Sequence, residues 1–162
     1  MYLTTTRPDI SFAVNKLCQF SFAPRKPHLH AAHKVLNYLK GMIGQGLFFP
    51  ADDDYQLNAF CDADWSNCLD TRRSITGSCI FIGQSLIAWK SKKQDVVSHS
   101  SAEAEYRAMY TTSKDILWLS RMLAELGCPS PSTHVMYCDS IAALHIAKNP
   151  VFHERTKHIE RE

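Results

Sequence analysis

The chain's 162 residues, 45% hydrophobic and 21% charged, suffice for one domain with at most a short attached piece, and they exclude a disordered tail or a fibrous repeat. No run of eighteen apolar residues occurs, which excludes a membrane-spanning helix and leaves no membrane partner expected, and Arg7, Asp9 and Lys16 interrupt any signal-peptide core. The net charge of +2 is small, but residues 1–50 hold six Lys/Arg against one acid and the remainder twelve against fifteen; a basic arm on an acidic body fits an anionic partner near one end, or equally helices with solvated faces.

Pro8 suits a first helical turn, and Ile10, Val14, Leu17 and Phe20 follow at helical spacing. A second helix is predicted from about Pro27, with Leu29, Ala32, Leu36, Leu39 and Met42 as its apolar stripe and Gly41, Gly44 and Gly46 at its end. From Tyr55 the character changes. Leu57–Asp62 reads as a strand entering a polar turn, and Arg72-Arg73-Ser74 as a basic loop. Ser78–Ile82 and Leu86–Trp89 read as a hairpin around Gly83-Gln84-Ser85, with Lys90, Lys92 and Lys93 directly after. Ser101–Leu126 is the longest helix, opened by a capping box of Ser100 and Glu103 and stopped by Gly127. Its buried face is Ala108, Thr112, Ile116, Leu119, Leu123 and Leu126, and Trp89 and Trp118 are assigned to the core. Val135–Cys138 is a last short strand, and Ser140 caps a helix to Lys148 that Pro150 prevents from continuing. A strand joined through a long helix to another strand favours a parallel crossover, while the hairpin adds antiparallel strands. The fold class is therefore α/β, a mixed sheet with helices against it.

The six cysteines carry no C-x-x-C pair and no zinc-finger spacing to His; without a signal peptide, free thiols in a reducing intracellular compartment, cytoplasmic or nuclear, are expected. The informative coincidence is Phe60-Cys61-Asp62 against Tyr137-Cys138-Asp139. If the two strands are parallel neighbours, both carboxylates emerge at one C-terminal rim, where open α/β sheets place their sites. Glu105 heads the sheet-facing side of the crossing helix and turns toward that rim, whereas Glu103 is explained as the cap partner. Carboxylates converging without Lys or Arg repel one another unless a cation lies between them, and oxygen ligands suit Mg2+ or Mn2+. Carboxylates bridging two such ions form the arrangement that cleaves phosphodiesters by in-line attack of water. The plain alternative is that Asp62 and Asp139 simply start turns after strands, as Asp often does.

Seven stretches together carry a resemblance. They are Thr6–Ile10, Phe60–Trp65, Asp70–Ser74, Ser91–Gln94, Ser100–Tyr106, Tyr137–Asp139, and Lys148–Pro150 with Arg155–Ile159. In this order and spacing the chain resembles the copia-type retrotransposon Pol polyprotein along essentially its whole length. The resemblance implies that residues 1–50 are a helical C-terminal remnant of reverse transcriptase and that residues 55–162 form a ribonuclease H-like domain. Its fold would be a mixed sheet of three antiparallel strands plus one parallel strand flanked by helices. The domain would cut the RNA strand of an RNA–DNA hybrid with two Mg2+ ions, with Mn2+ as the substitute. Asp62 would be shared between the metals, with Glu105 and Asp139 completing the catalytic and metal-binding set present here, and Asp64 would ligate no metal, lying either behind the ligands or in the loop. Arg72, Arg73, Ser74, Lys90, Lys92 and Lys93 would meet phosphates, although a solvated strand end also explains Lys90–Lys93.

Family members continue into a further strand and helix that bring a fourth carboxylate; Glu160 belongs to the preceding motif and is no substitute. The resemblance thus implies a C-terminally truncated domain, weak or inactive as it stands, whose Val135–Cys138 strand is an exposed edge open to self-association. The readings that follow are a hybrid-cleaving nuclease, a non-catalytic nucleic-acid-binding remnant, and a recruited protein-interaction module.

Overall fold

The computed structural model describes residues 2–51, 54–130 and 133–149; Glu160, His153, His158 and the stop at Pro150 lie outside the described residues. Short 3-10 turns at Tyr2–Thr5 and Pro8–Ile10 precede α1 (Ser11–Cys18) and α2 (Lys26–Gly41). Then come β1 (Leu57–Asp64), β2 (Ile75–Ile82), β3 (Ser85–Lys93), α3 (Ser101–Glu125), β4 (Val135–Tyr137) and α4 (Ile141–Lys148). The sheet order is β3-β2-β1-β4. β1, β2 and β3 pair antiparallel, and β4 lies parallel to β1. This is the α/β, ribonuclease H-like mixed sheet that the sequence leads one to expect.

The hairpin strands run longer than their apolar cores suggest. Ladder pairs Ile75↔Lys93 and Thr76↔Lys92 carry β3 through all its lysines. On an outer strand, long charged side chains reach water while the backbone keeps its bonds, so low strand propensity is overridden. Gly83 opens the two-residue connection with a φ of 54°, the positive φ that such tight hairpin turns demand at their first position.

α3 starts where Ser100 Oγ accepts the Glu103 N–H at 3.1 Å, and the Glu103 carboxylate answers by accepting the His99 N–H at 2.9 Å. Its inward stripe splits into two clusters. Ile116, Leu119 and Leu123 pack with Leu57, Ala59 and Ile80, while Ala104, Ala108 and Met109 pack with Cys61, Ala63 and Ala143. Trp118 and Leu126 depart from the expected core, being 62% and 69% exposed. Trp118 is offset by one helical step from Leu119 and so leaves the buried stripe, and Leu126 lies past the helix end, just before Gly127 with its φ of 78°. Trp89 is half-buried, and its indole N–H donates to the Thr4 carbonyl at 2.8 Å.

α1 lies along β3: the Asn15 amide donates to the Ser91 carbonyl, and Lys93 Nζ donates to Gln19 Oε1 at 3.4 Å. α2 buries no residue, and Leu29 and Leu36 of its expected apolar stripe are exposed. Among the described residues no helix is long and apolar enough to cross a membrane.

Leu57, with 0% exposure at the centre of the larger cluster, sets a stability prediction. Leu57→Ala is expected to lose about 2–5 kcal/mol, as for other buried leucines. Leu126→Ala is expected to stay within about 0.5 kcal/mol. Urea unfolding of the two variants measures both, with equal losses contradicting the assignment of the core.

Candidate metal centre

The parallel ladder pairs Asn58↔Val135, Ala59↔Met136 and Phe60↔Tyr137. β4 and the ladder end at Tyr137, and Cys138 and Asp139 follow directly, next to the stretch of β1 that carries Cys61 and Asp62. The alternation of β1 then divides these groups. Cys61 and Ala63 are buried toward α3, while Phe60, Asp62 and Asp64 are exposed. Phe60 stacks on Tyr137 with ring centroids 4.9 Å apart.

Glu105 enters from the first turns of α3, whose Ala104 and Ala108 are fully buried against the sheet. Such small side chains let the helix approach closely, so the Glu105 carboxylate reaches the strand ends. It is 93% buried by its 7% exposure. Burial pushes its carboxyl up to about 7. The Ala63 N–H bonded to it opposes the rise, and the neighbouring Asp62 and Asp139 charges add to it. Cys138 Sγ donates weakly to Glu105 Oε2 at 3.9 Å, and donor atoms of Glu105, Cys138 and Asp139 all lie within 4.8 Å of one another. Cys61 Sγ donates to the Tyr137 carbonyl at 3.7 Å, and burial pushes its thiol up to about 12. None of the ion pairs among the described residues involves Asp62, Glu105 or Asp139. A crowd of carboxylates with no basic partner fits a divalent cation of the Mg2+ class. Cys138, which spacing alone does not single out as a neighbour of Glu105, is the addition that the geometry makes to the expected set.

Gln94 holds this corner together. Its amide donates to Thr76 Oγ1 at 3.0 Å and to the Ala104 carbonyl at 2.9 Å, and its Oε1 accepts from Ser98 Oγ at 3.2 Å. It thereby ties the end of the hairpin to the turn of α3 that carries Glu105. Asp64, the last residue of β1, accepts from the Asn67 amide at 3.1 Å.

The six expected phosphate-contacting residues fall in two places. Lys90, Lys92 and Lys93 line a groove of about 480 Å³ between β3 and α3, together with Arg107 and Tyr110. Lys90 Nζ is held by both Asp115 oxygens at 2.7 Å, Lys92 meets Asp95 at 3.9 Å, and Lys93 Nζ turns to Gln19 and Cys68. Arg72, Arg73 and Ser74 lie in the loop after β1. Arg72 is exposed with a φ of 57°, Arg73 is half-buried, and Ser74 is fully buried with its Oγ accepting the Ser66 N–H at 3.2 Å.

That loop closes on Cys68, whose N–H donates to the Arg73 carbonyl and whose carbonyl accepts the Arg72 N–H. The Thr71 hydroxyl first, then the Thr71 and Asp70 N–H groups and Lys93, pull the Cys68 thiol down to about 7 from an ordinary 9.0. The folded chain then holds fewer protons than the unfolded one between these values, so Cys68 adds stability as pH rises from about 7 to 9 and loses it as pH falls through 7. The unfolding free energy of the chain is expected to pull ahead of that of Cys68→Ser over this range. A gap that does not change with pH would contradict the thiolate.

Comparison with known proteins places this geometry. The chain is 44% identical over 158 residues to the retrovirus-related Pol polyprotein from transposon RE1 of Arabidopsis thaliana, covering 98% of the chain and 11% of that relative. It is 40% identical over 158 residues to the Pol polyprotein from transposon TNT 1-94 of Nicotiana tabacum, covering 98% of the chain and 12% of the relative. It is 58% identical over 82 residues to the uncharacterized mitochondrial protein AtMg00240 of Arabidopsis thaliana, covering 51% of the chain and 74% of that protein. The chain thus spans about a ninth of the length of the polyproteins it matches. No family model matches it, and no solved structure does. With near-complete coverage by several such polyproteins, the chain belongs to the copia-type family of retrovirus-related Pol polyproteins.

Proposed function

We propose that this chain is a retrotransposon-derived ribonuclease H domain that cleaves the RNA strand of RNA–DNA hybrids, with Mg2+ or Mn2+ held by Asp62, Glu105 and Asp139. The observation that supports the reading most is the buried Glu105, whose carboxyl is raised in part by the charges of Asp62 and Asp139 beside it and which has an oxygen within 4.8 Å of one of Asp139. Two divalent ions in such a site supply activation of water and stabilisation of the departing 3′ oxygen. The chain's own part is to fix the three carboxylates: the ladder with β2 holds Asp62 within β1, Asp139 follows two residues after β4, and the Gln94 network holds the helix that brings Glu105. The lysine-lined groove on the α3 side supports a sequence-blind grip on the phosphates of the hybrid. Recognition of RNA would then come from its 2′-hydroxyls.

Incubation of the chain with a labelled hybrid and Mg2+ or Mn2+ tests this. Weak strand scission is expected, because three of the family's four carboxylates lie in this stretch, with Asp62→Asn, Glu105→Gln and Asp139→Asn each losing roughly 100-fold or more, the scale on which loss of a charge-stabilising group acts. Binding of the hybrid without scission would favour a non-catalytic nucleic-acid-binding protein. Absence of both, with concentration-dependent self-association, would favour an interaction module that pairs through β4, the outermost strand opposite β3 among the described residues.

The groove makes a separate prediction. The slope of log affinity against log salt is expected to fall by about 1 in Lys92→Ala, whose ammonium is only loosely paired. Lys90→Ala, already neutralised by Asp115, is expected to change it less. Equal slopes in both variants and the unaltered chain would remove the groove from the binding face.

A further inference from the structure

Cleavage by Mg2+ leaves Cys138 without a task, yet its sulfur is closer to the site than spacing alone suggests. Sγ lies 3.9 Å from Glu105 Oε2, and the sulfur, a Glu105 oxygen and an Asp139 oxygen fall within 4.8 Å of one another. These are three ligands of two chemistries. A thiolate is a soft donor that selects Zn2+ and Cd2+ over Mg2+, while the carboxylates accept either class. Three protein ligands with one position left open to water is a common zinc arrangement. With Zn–S near 2.3 Å and Zn–O near 2.1 Å, ligand atoms around a tetrahedral ion lie roughly 3.5 Å apart. The exposed Asp139 side chain can close the remaining gap by rotation. Glu105, buried and engaged by no ion pair among the described residues, supplies the fixed wall. Cys61, one strand over, directs its sulfur to the Tyr137 carbonyl and stays outside the triad.

We propose that Cys138, Glu105 and Asp139 form a site for a thiophilic divalent cation of the Zn2+ type, and that its occupancy blocks the site for Mg2+. Binding exchanges the thiol proton for the metal: the S–H bond breaks, an S–Zn bond forms, and the proton leaves to solvent. The inhibitory half of the proposal rests on the nuclease reading, because it takes two of the carboxylates assigned to Mg2+; the binding half does not.

Co2+ serves as the spectroscopic probe for Zn2+. Titrated into the reduced, chelator-treated chain, it is expected to give a sulfur-to-cobalt charge-transfer band that saturates near one equivalent. Added Zn2+ should bleach the band and excess Mg2+ should leave it. Cys138→Ser should abolish it, Cys61→Ser should retain it, and Asp139→Asn should weaken Co2+ binding by roughly 10–100-fold. Circular dichroism checks that each variant is folded, with Cys138→Ala as the second substitution should the serine form fail. A band that survives loss of the Cys138 sulfur, or no band in the folded chain, overturns the proposal. In the hybrid assay, Zn2+ is expected to suppress Mg2+-dependent scission more strongly in the unaltered chain than in Cys138→Ser, and equal suppression overturns the inhibitory half. Absence of scission with Mg2+ alone instead counts against the nuclease reading, and the cobalt band decides the site independently.

Discussion

The pairing of β1 with β4 in parallel register is the constraint on which the rest depends. Two tripeptides of like pattern, Phe60-Cys61-Asp62 and Tyr137-Cys138-Asp139, come to lie side by side. Each pair takes a different part. The aromatics stack at 4.9 Å on one face of the sheet. The thiols turn to the α3 side, where both belong to the packing around Ala104, Ala108 and Ala143. The carboxylates then share the rim. A slip of one residue would set Asp62 against Cys138 and turn the aromatic side chains of one strand into the helix layer. The stacked rings and the filled alanine cluster therefore guard the register, and the register makes the rim acidic.

An acidic rim costs stability wherever nothing neutralises it, and the chain's answer is to bury one member. Glu105 lies among alanines and strand backbone, where desolvation raises its carboxyl to about 7 and thereby reduces the charge it adds. A cation reverses that balance, because it turns the repulsion among Asp62, Glu105 and Asp139 into ligation. Holding Glu105 in place is work for uncharged partners. Gln94 bonds to strand, helix and loop at once, and Ser100 and His99 anchor Glu103 two residues before Glu105.

Backbone rules make much of this legible from the sequence. Strand-plus-Asp repeats, the Ser100/Glu103 cap and the long apolar stripe of α3 each follow from local chemistry, and together they point to a mixed sheet with carboxylates at one rim, while the strand order comes from the structure. What escapes is what depends on partners distant in the chain. The lysines of β3 follow the apolar run Leu86–Trp89 in the sequence, and the ladder with Ile75–Ser78 carries the strand on through them. Trp118 looks like core until the packing of Leu119 on the sheet turns the next residue back along the helix to water. Ser74 reads as a phosphate contact until the turn after β1 folds its hydroxyl inward onto the Ser66 N–H. Cys138 reads as a small buried hydrophobe, and only the approach of α3 to the strand ends brings its sulfur to Glu105.

Stability and chemistry are divided along the length of β1. Its first half, Leu57 and Ala59, meets Ile80, Ile116, Leu119 and Leu123, the largest side chains of the core. Its second half, Cys61 and Ala63, meets buried alanines and Met109, with Tyr106, Met136, Cys138 and Leu144 partly buried around them. Large aliphatics at the near end supply burial energy where no polar group needs access. Small residues at the far end give up that energy and let backbone and carboxylate come close. The same smallness leaves room for a thiol beside the carboxylates, so a rim made tight enough for a hard cation also carries a soft donor. A cation at this rim would meet donors of two kinds, the oxygens of Glu105 and Asp139 and the sulfur of Cys138, all within 4.8 Å of one another.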